Sequence, residues 1–306
     1  MKNNDETNKW AEVNIETFLE TEEAINNILL ELGIYGVFVR EGSEEEEEAD
    51  VFKEPLLVKC YLPYDRFMEK KVETLRENIM TLNDYGFKIR EKDFSVKTLD
   101  DNNWIESWKN IFKPIEIGKV IIKPTWEELD WPLDGDEILI ELNPEMAFGT
   151  GLHPTTKACL RFLQSYLVPG EEILDLGVGS GILSIAAAKL GAKKVYAYDI
   201  SPEAYRATQK NAELNGVKDF IEVQQVDVLR SMCPRVSLGV ANMNSSVLLD
   251  LLEKVDSFLI KEGVLIVSGI IFSKGEEIKD KAEKNGLIVV EEYLDEEWLS
   301  LVLKKI

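Results

Sequence analysis

Between residues 172 and 286, apolar runs of strand length alternate with amphipathic runs of helix length. The first strand-to-helix junction reads Asp175-Leu176-Gly177-Val178-Gly179-Ser180-Gly181. Repeated strand-then-helix order is the signature of a parallel sheet with helices on both faces. Strands are expected near 173–176, 195–200, 221–226, 238–243 and 263–270, and helices roughly over 182–190, 202–215, 246–260 and 274–285. Two further strands, 287–293 and 299–304, flank a short acidic turn and form a terminal hairpin that inserts one antiparallel strand. The glycines of the junction let the backbone turn tightly and let a ligand approach the main chain with no Cβ in the way.

Spacing narrows the choice of ligand. A dinucleotide fingerprint, GxGxxG, places its third glycine where this chain has Ile182; here the third glycine is Gly181. The GxGxG form preceded by an acid resembles motif I of class I methyltransferases, which implies S-adenosylmethionine and involves Gly177, Gly179 and Gly181. The terminal hairpin is also what separates those enzymes from dehydrogenases. Asp199 ends the next strand, where a carboxylate accepts hydrogen bonds from both ribose hydroxyls. It also precedes a helix, but Ser201-Pro202 supplies a cap of its own, so Asp199 is read as the ribose acceptor. Asp227, read as the end of the third strand, has two readings: a partner for the adenine edge, or a turn residue.

The first hundred residues follow a different order: strand, helix, strand, strand, helix, strand. Ala11, Val13 and Ile15 alternate as a half-buried strand, and 22–32 carries apolar residues at helical spacing up to Gly33. Strands follow at 35–39 and 56–62, then a helix over 67–82, and a last strand beginning near Phe87. This is the ferredoxin-like α+β arrangement. Five glutamates at 44–48 repel one another and read as a solvated loop. Trp104, Trp108 and Phe112, four apart, line one side of a short helix that packs the joint. Residues 117–122 open the second domain as a strand. The expected organisation is a ferredoxin-like substrate-recognition domain over 1–98, a joint over 99–114 and a catalytic domain over 115–306.

A formal net charge of -22 argues against direct nucleic acid binding, which needs Lys and Arg surfaces on the phosphates. It suits a soluble protein with a basic macromolecular partner. The polar start and the absence of a long apolar run leave no reading as a membrane protein. Cys60, Cys159 and Cys233 are odd in number with no metal-ligand spacing, and read as reduced thiols of a cytoplasmic protein.

Upstream of the glycine motif lies Asn143-Pro144-Glu145-Met146-Ala147-Phe148-Gly149-Thr150-Gly151-Leu152-His153-Pro154-Thr155-Thr156. His153, the single histidine, stands between a glycine-rich turn and a helix start, so it either caps that helix or lines a site. This segment is similar to one carried by the ribosomal protein L11 methyltransferase family. So are Trp104 through Pro114, Lys123-Pro124-Thr125-Trp126, the stretch 174–199 and Val267-Ser268-Gly269-Ile270. The likeness covers roughly 100–306; over the first hundred residues only the order and size of elements agree. It implies an α/β, Rossmann-like catalytic domain with a seven-stranded mixed sheet and a smaller domain that recognises the substrate. It further implies S-adenosylmethionine-dependent methylation of lysine side chains or the N-terminal α-amine of ribosomal protein L11.

Cofactor contacts implied by the resemblance fall on Thr156, Gly177, Asp199 and Asn242, with Phe148, Thr150 and His153 in the neighbouring loop. Asn242 is the candidate catalytic residue, its carbonyl holding the substrate amine toward the methyl group, and Asn244 a second acceptor. Two departures bear on the substrate: Asn242-Met243-Asn244-Ser245 stands where the family usually reads Asn-Ile-Leu-Ala, and Asn143-Pro144-Glu145 where it tends to have Asp-Pro-Gly. A methyltransferase for another protein or a small molecule fits the same cofactor features. A nicotinamide oxidoreductase fits the fold but not the glycine spacing. A noncatalytic binding module would bind the cofactor without turning it over.

Overall fold

The computed structural model describes residues 9–21, 24, 25, 28, 29, 32, 34–40, 55–63, 67–100, 113–129, 131–133, 135–143, 151 and 153–306. The glutamate run 44–48, Trp104, Trp108, Phe112 and the loop residues Phe148 and Thr150 lie outside the described residues. The chain divides into two compact units, Met1–Ile111 and Phe112–Ile306.

In the first unit, β1 (Lys9–Phe18), β2 (Tyr35–Arg40), β3 (Pro55–Pro63) and β4 (Phe94–Asp100) form an antiparallel sheet in the order β2-β3-β1-β4. Ala11, Val13 and Ile15 alternate onto one face and are fully buried. Helix α1 (Met68–Thr81) lays Met68, Val72, Leu75 and Ile79 into the same core, joined by Ile25 and Leu29, both helical. This is the ferredoxin-like order.

The last strand starts at Phe94, not near Phe87. Gly86, at φ 98, ends a 3-10 turn over Leu82–Tyr85. The Asn83 side chain then takes both peptide hydrogen bonds of Ile89, with Nδ2 donating to its carbonyl and Oδ1 accepting from its N–H, each at 2.9 Å. Asp93 holds Arg90 through its N–H at 3.2 Å and its Nε at 2.8 Å. With these groups satisfied by side chains, the segment has no need of a sheet partner until residue 94.

The second unit opens with a small sheet, β5 (Ile115–Ile117), β6 (Val120–Pro124) and β7 (Ile138–Leu142). The single strand expected over 117–122 is instead a hairpin turning at Gly118, φ 60. Gln164 of helix α2 (Pro154–Tyr166) caps that turn: Nε2 donates to the Ile117 carbonyl at 2.8 Å and Oε1 accepts the Lys119 N–H at 2.9 Å.

The main sheet contains β8 (Glu172–Leu176), β9 (Lys194–Asp199), β10 (Ile221–Gln225), β11 (Val236–Asn242), β12 (Leu259–Ile271), β13 (Leu287–Asp295) and β14 (Trp298–Lys305). Its order is β10-β9-β8-β11-β12-β14-β13, parallel except for β14, which runs antiparallel to both neighbours. The terminal hairpin thus inserts one antiparallel strand, as in class I methyltransferases. Helices α2, α3 (Ile182–Lys189) and α4 (Pro202–Leu214) accompany one half of the core. Helices α5 (Ser245–Leu252), α6 (Val255–Phe258) and α7 (Gly275–Lys284) accompany the other.

The helix expected over 246–260 is broken into α5 and α6. The break falls at Lys254, φ -107 and ψ 3, whose N–H donates to the Leu251 carbonyl three residues back at 2.9 Å, and β12 already begins at Leu259.

Candidate functional site

The strand order reverses between β8 and β11, leaving a crevice at the carboxyl ends of the parallel strands where α/β sheets bind ligands. Gly177 follows β8, Asp199 ends β9, Asn242 ends β11, and Ser268 pairs with Asn242 from β12. The N-terminus of α2 adds Thr155 and Thr156. Six of the residues marked in the sequence, Thr156, Gly177, Gly179, Gly181, Asp199 and Asn242, therefore belong to one set of loop and strand ends.

All three glycines of the junction adopt positive φ: 78° at Gly177, 54° at Gly179 and 86° at Gly181. Space matters as well as conformation. A Cβ on Gly181 would stand 2.9 Å from Thr208 Cγ2 and 3.1 Å from its backbone Cα, so α4 can approach α3 only over a glycine. A Cβ on Gly177 would meet Met243 Cε at 3.0 Å.

Asp199 holds the loop as well as facing it. Its Oδ2 accepts the Gly179 N–H at 3.0 Å and its Oδ1 the Ser201 N–H at 2.9 Å. Ser201 caps α4, accepting from Glu203 and Ala204 at 3.1 and 3.2 Å, as its sequence position suggested. Each Asp199 oxygen retains a lone pair for a further donor.

Asp175 is 1% exposed. Its Oδ2 accepts from Ser184 Oγ at 2.6 Å, while Oδ1 has no hydrogen-bond partner. Burial raises its pKa to about 7, with the nearby Asp199 charge adding to the shift and the Ser184 hydrogen bond opposing it. A buried oxygen lacking a donor beside a glycine loop suits a ligand that brings a polar hydrogen.

At the other side of the crevice, Asn242 Nδ2 donates to Thr156 Oγ1 at 3.3 Å. Ser268 Oγ lies 3.2 Å from the Thr155 carbonyl and 2.6 Å from Ser300 Oγ, a buried polar link between α2, β12 and β14. Gly269, φ 82, supports the 242–245 segment directly: a Cβ there would fall 2.4 Å from the Met243 carbonyl oxygen.

Three more of the marked residues make local contacts within the chain. His153 is the N-cap of α2: its Nδ1 takes the Thr155 N–H at 3.4 Å and lies 2.8 Å from Thr155 Oγ1, with the ring edge-on to Trp298. Asn244 caps α5, its Oδ1 accepting from Val247 N–H at 3.1 Å and Ser246 Oγ at 2.9 Å, so that oxygen is already engaged within the chain. Asp227 stands two residues beyond the end of β10 and makes a turn, accepting from Leu229 N–H at 2.9 Å and pairing with Arg230.

Thr208 and Asn211, which the sequence reading passed over, are buried and hydrogen-bond the glycine loop: Thr208 Oγ1 donates to the Gly179 carbonyl at 3.0 Å and Asn211 Nδ2 to the Ser180 carbonyl at 2.9 Å. The available signal was polar residues at 208, 211 and 215, helical spacing along a face otherwise made of alanines.

The sequence model described as Ribosomal protein L11 methyltransferase (PrmA) matches residues 9–306. Proteins named ribosomal protein L11 methyltransferase from Caldanaerobacter subterraneus subsp. tengcongensis, Brevibacillus brevis and Bacillus subtilis are 37%, 38% and 36% identical. Each alignment covers 97% of this chain and at least 99% of the relative. The crystal structure of a ribosomal protein L11 methylase from Lactobacillus delbrueckii subsp. bulgaricus aligns with a TM-score of 0.60 at 34% identity. It covers 64% of this chain and 100% of that one. The similarity thus extends into the first hundred residues, beyond the span from which the resemblance was drawn.

Proposed function

The chain belongs to the ribosomal protein L11 methyltransferase family, and from that premise we propose that it binds S-adenosylmethionine at the β8–β11 crevice and methylates amines of ribosomal protein L11. The observation that carries this reading is the gathering of Thr156, Gly177, Asp199 and Asn242 at one switch point. In this proposal residues 115–306 carry out transfer, residues 1–98 recognise the substrate and residues 99–114 join them.

The residues fit the methyl donor. Its ribose would be held by Asp199, its adenosyl side would lie over the Gly177–Gly181 turn, where positive φ and close packing exclude side chains, and a cationic or N–H group would satisfy Asp175 Oδ1. Phe148, Thr150 and His153 belong to the adjoining segment, with His153 acting through the α2 cap. When bound, S-adenosylmethionine supplies a methyl group on a positively charged sulfur that is already a good leaving group.

The remaining chemistry falls to the protein. A lysine amine is protonated at neutral pH and must lose that proton to become a nucleophile. Burial disfavours the ammonium and lowers its pKa. Because Asn242 Nδ2 is engaged by Thr156, its Oδ1 is turned away from that bond and takes no hydrogen bond among the described residues. That oxygen would accept an N–H of the neutral amine and aim its lone pair, an orientation effect. Ionic partners fit as well: an acidic chain, net charge -22, draws a basic protein toward it. No helix among the described residues is long and apolar enough to cross a membrane.

Incubation with methyl-labelled cofactor and a mixture of purified ribosomal proteins, followed by mass mapping, tests the proposal. Label on L11 amines is expected; label elsewhere but not on L11 would replace this substrate with another.

A further inference from the structure

Helix α4 presents a ladder of polar side chains to the glycine loop and to the outer edge and end of β7. Thr208 donates to the Gly179 carbonyl at 3.0 Å. One turn on, Asn211 spans the two segments: Nδ2 donates to the Ser180 carbonyl at 2.9 Å and Oδ1 accepts the Asn143 N–H at 3.2 Å. One turn further, Asn215 pairs with the Glu141 peptide, Oδ1 accepting its N–H at 2.9 Å and Nδ2 donating to its carbonyl at 2.6 Å. Asn215 thereby behaves toward the edge of β7 as a neighbouring strand would.

Thr208 is 0% exposed and Asn211 1%. Burying an amide is costly unless every end of it is satisfied, and apolar side chains fill a helix face at less cost where packing alone is needed. Asn211 is satisfied by backbone groups from the glycine loop on one side and from the start of the 143–156 segment on the other.

We propose that Asn211 is a positioning residue for the methyl donor: one amide sets the spacing between the glycine loop and the end of β7, and donor affinity depends on that spacing. The inference rests on the reading of the crevice as an S-adenosylmethionine site.

Asn211→Asp separates this role from simple packing. The carboxylate is nearly isosteric and keeps the acceptor for Asn143 N–H, but it has no hydrogen for the Ser180 carbonyl and repels it. Protonation restores a donor beside an acceptor, and burial raises the pKa at which that happens. The titratable groups around the ladder are Asp175 before the loop, Asp199 on the Gly179 N–H, Glu141 with its ion-pair partner Lys123, and Lys189 on α3, which feels Glu141. All are shared with the parent protein, so the parent measured at the same pH is the reference for their own titration.

The experiment is calorimetric titration of the full chain with S-adenosylhomocysteine at pH 8.0 and pH 5.5. Asn211→Asp is expected to bind about tenfold more weakly than the parent at pH 8.0, recovering to within about threefold at pH 5.5. A variant equal to the parent at pH 8.0, or a deficit that does not shrink at pH 5.5, overturns the proposal. If circular dichroism shows Asn211→Asp unfolded, Asn211→Ser decides. Its single short hydroxyl cannot reach both the Ser180 carbonyl and the Asn143 N–H, and a loss of about three- to tenfold is expected. Affinity equal to the parent in that variant overturns the proposal. A parent protein that fails to bind S-adenosylhomocysteine would instead remove the cofactor reading itself.

Discussion

Asn242 and Thr156, one ending a central strand and the other in the first turn of α2, are joined by a 3.3 Å hydrogen bond from the Asn242 side-chain amide to the Thr156 hydroxyl. The bond orients the asparagine, with its nitrogen toward Thr156 and its carbonyl oxygen left to accept. This polarity follows from neither residue alone.

Asn242→Ala removes that acceptor and its tether. Turnover is expected to fall about 100-fold, while S-adenosylhomocysteine affinity changes by less than about tenfold, because the ribose and loop contacts remain. Steady-state kinetics beside a binding titration measure both. Unaltered turnover would remove Asn242 from the reaction.

Gly269→Ala places a Cβ 2.4 Å from the Met243 carbonyl oxygen in a residue at φ 82. Either the 242–245 segment shifts or β12 does. A loss of about 3 kcal/mol in urea unfolding is expected, with a drop in turnover larger than that of a surface glycine variant. Gly86→Ala is the control: it also has positive φ, but nothing lies within 4 Å of its Cβ.

The Ser268–Ser300 contact, 2.6 Å and buried, is tested by a double-mutant cycle. Each serine-to-alanine change leaves the other hydroxyl short of a partner and is expected to cost about 1–2 kcal/mol. The double variant should cost less than the sum by about 1 kcal/mol. Strict additivity would show that the two hydroxyls do not interact in solution.

Asp175 predicts a pH effect. Its folded pKa of about 7 lies above the ordinary carboxyl value, with burial as the main cause. Between those values the folded chain holds a proton that the unfolded chain releases. The contribution is complete below the unfolded value near pH 4 and is lost as pH rises through 7, at about 1.4 kcal/mol per unit. Asp175→Asn should therefore gain about 2–3 kcal/mol on the ligand-free parent between pH 5 and pH 7.5. Urea titrations at both pH values measure the difference, and a constant offset would mean that Asp175 is already ionised at pH 5.

Much of this was legible in the chain. The glycines at 177, 179 and 181 announced a turn that needs positive φ, and all three have it. The start of the next helix was readable because Ser201-Pro202 is a cap signal, and Ser201 makes that cap. Elsewhere local pattern misled. The run 117–122 has strand composition, yet Gln164, forty-six residues away from Gly118, caps a turn in the middle of it. Phe87 and Ile89 alternate with charged residues as a strand would, but Asn83 satisfies Ile89 first.

The sequence by itself determined the strand–helix alternation of the main sheet, the glycine turn and the identity of the acid and amide at the strand ends. These depend on period, φ preference and donor chemistry, all of which are local. Tertiary structure decided how those groups are used: which end of Asn242 remains free, that burial raises the pKa of Asp175, and that Asn211 bridges the glycine loop and the end of β7. Asn242 and Asn211 depend on Thr156 and Asn143, 86 and 68 residues away, which only the packed core brings within hydrogen-bonding distance, and Asp175 depends on burial.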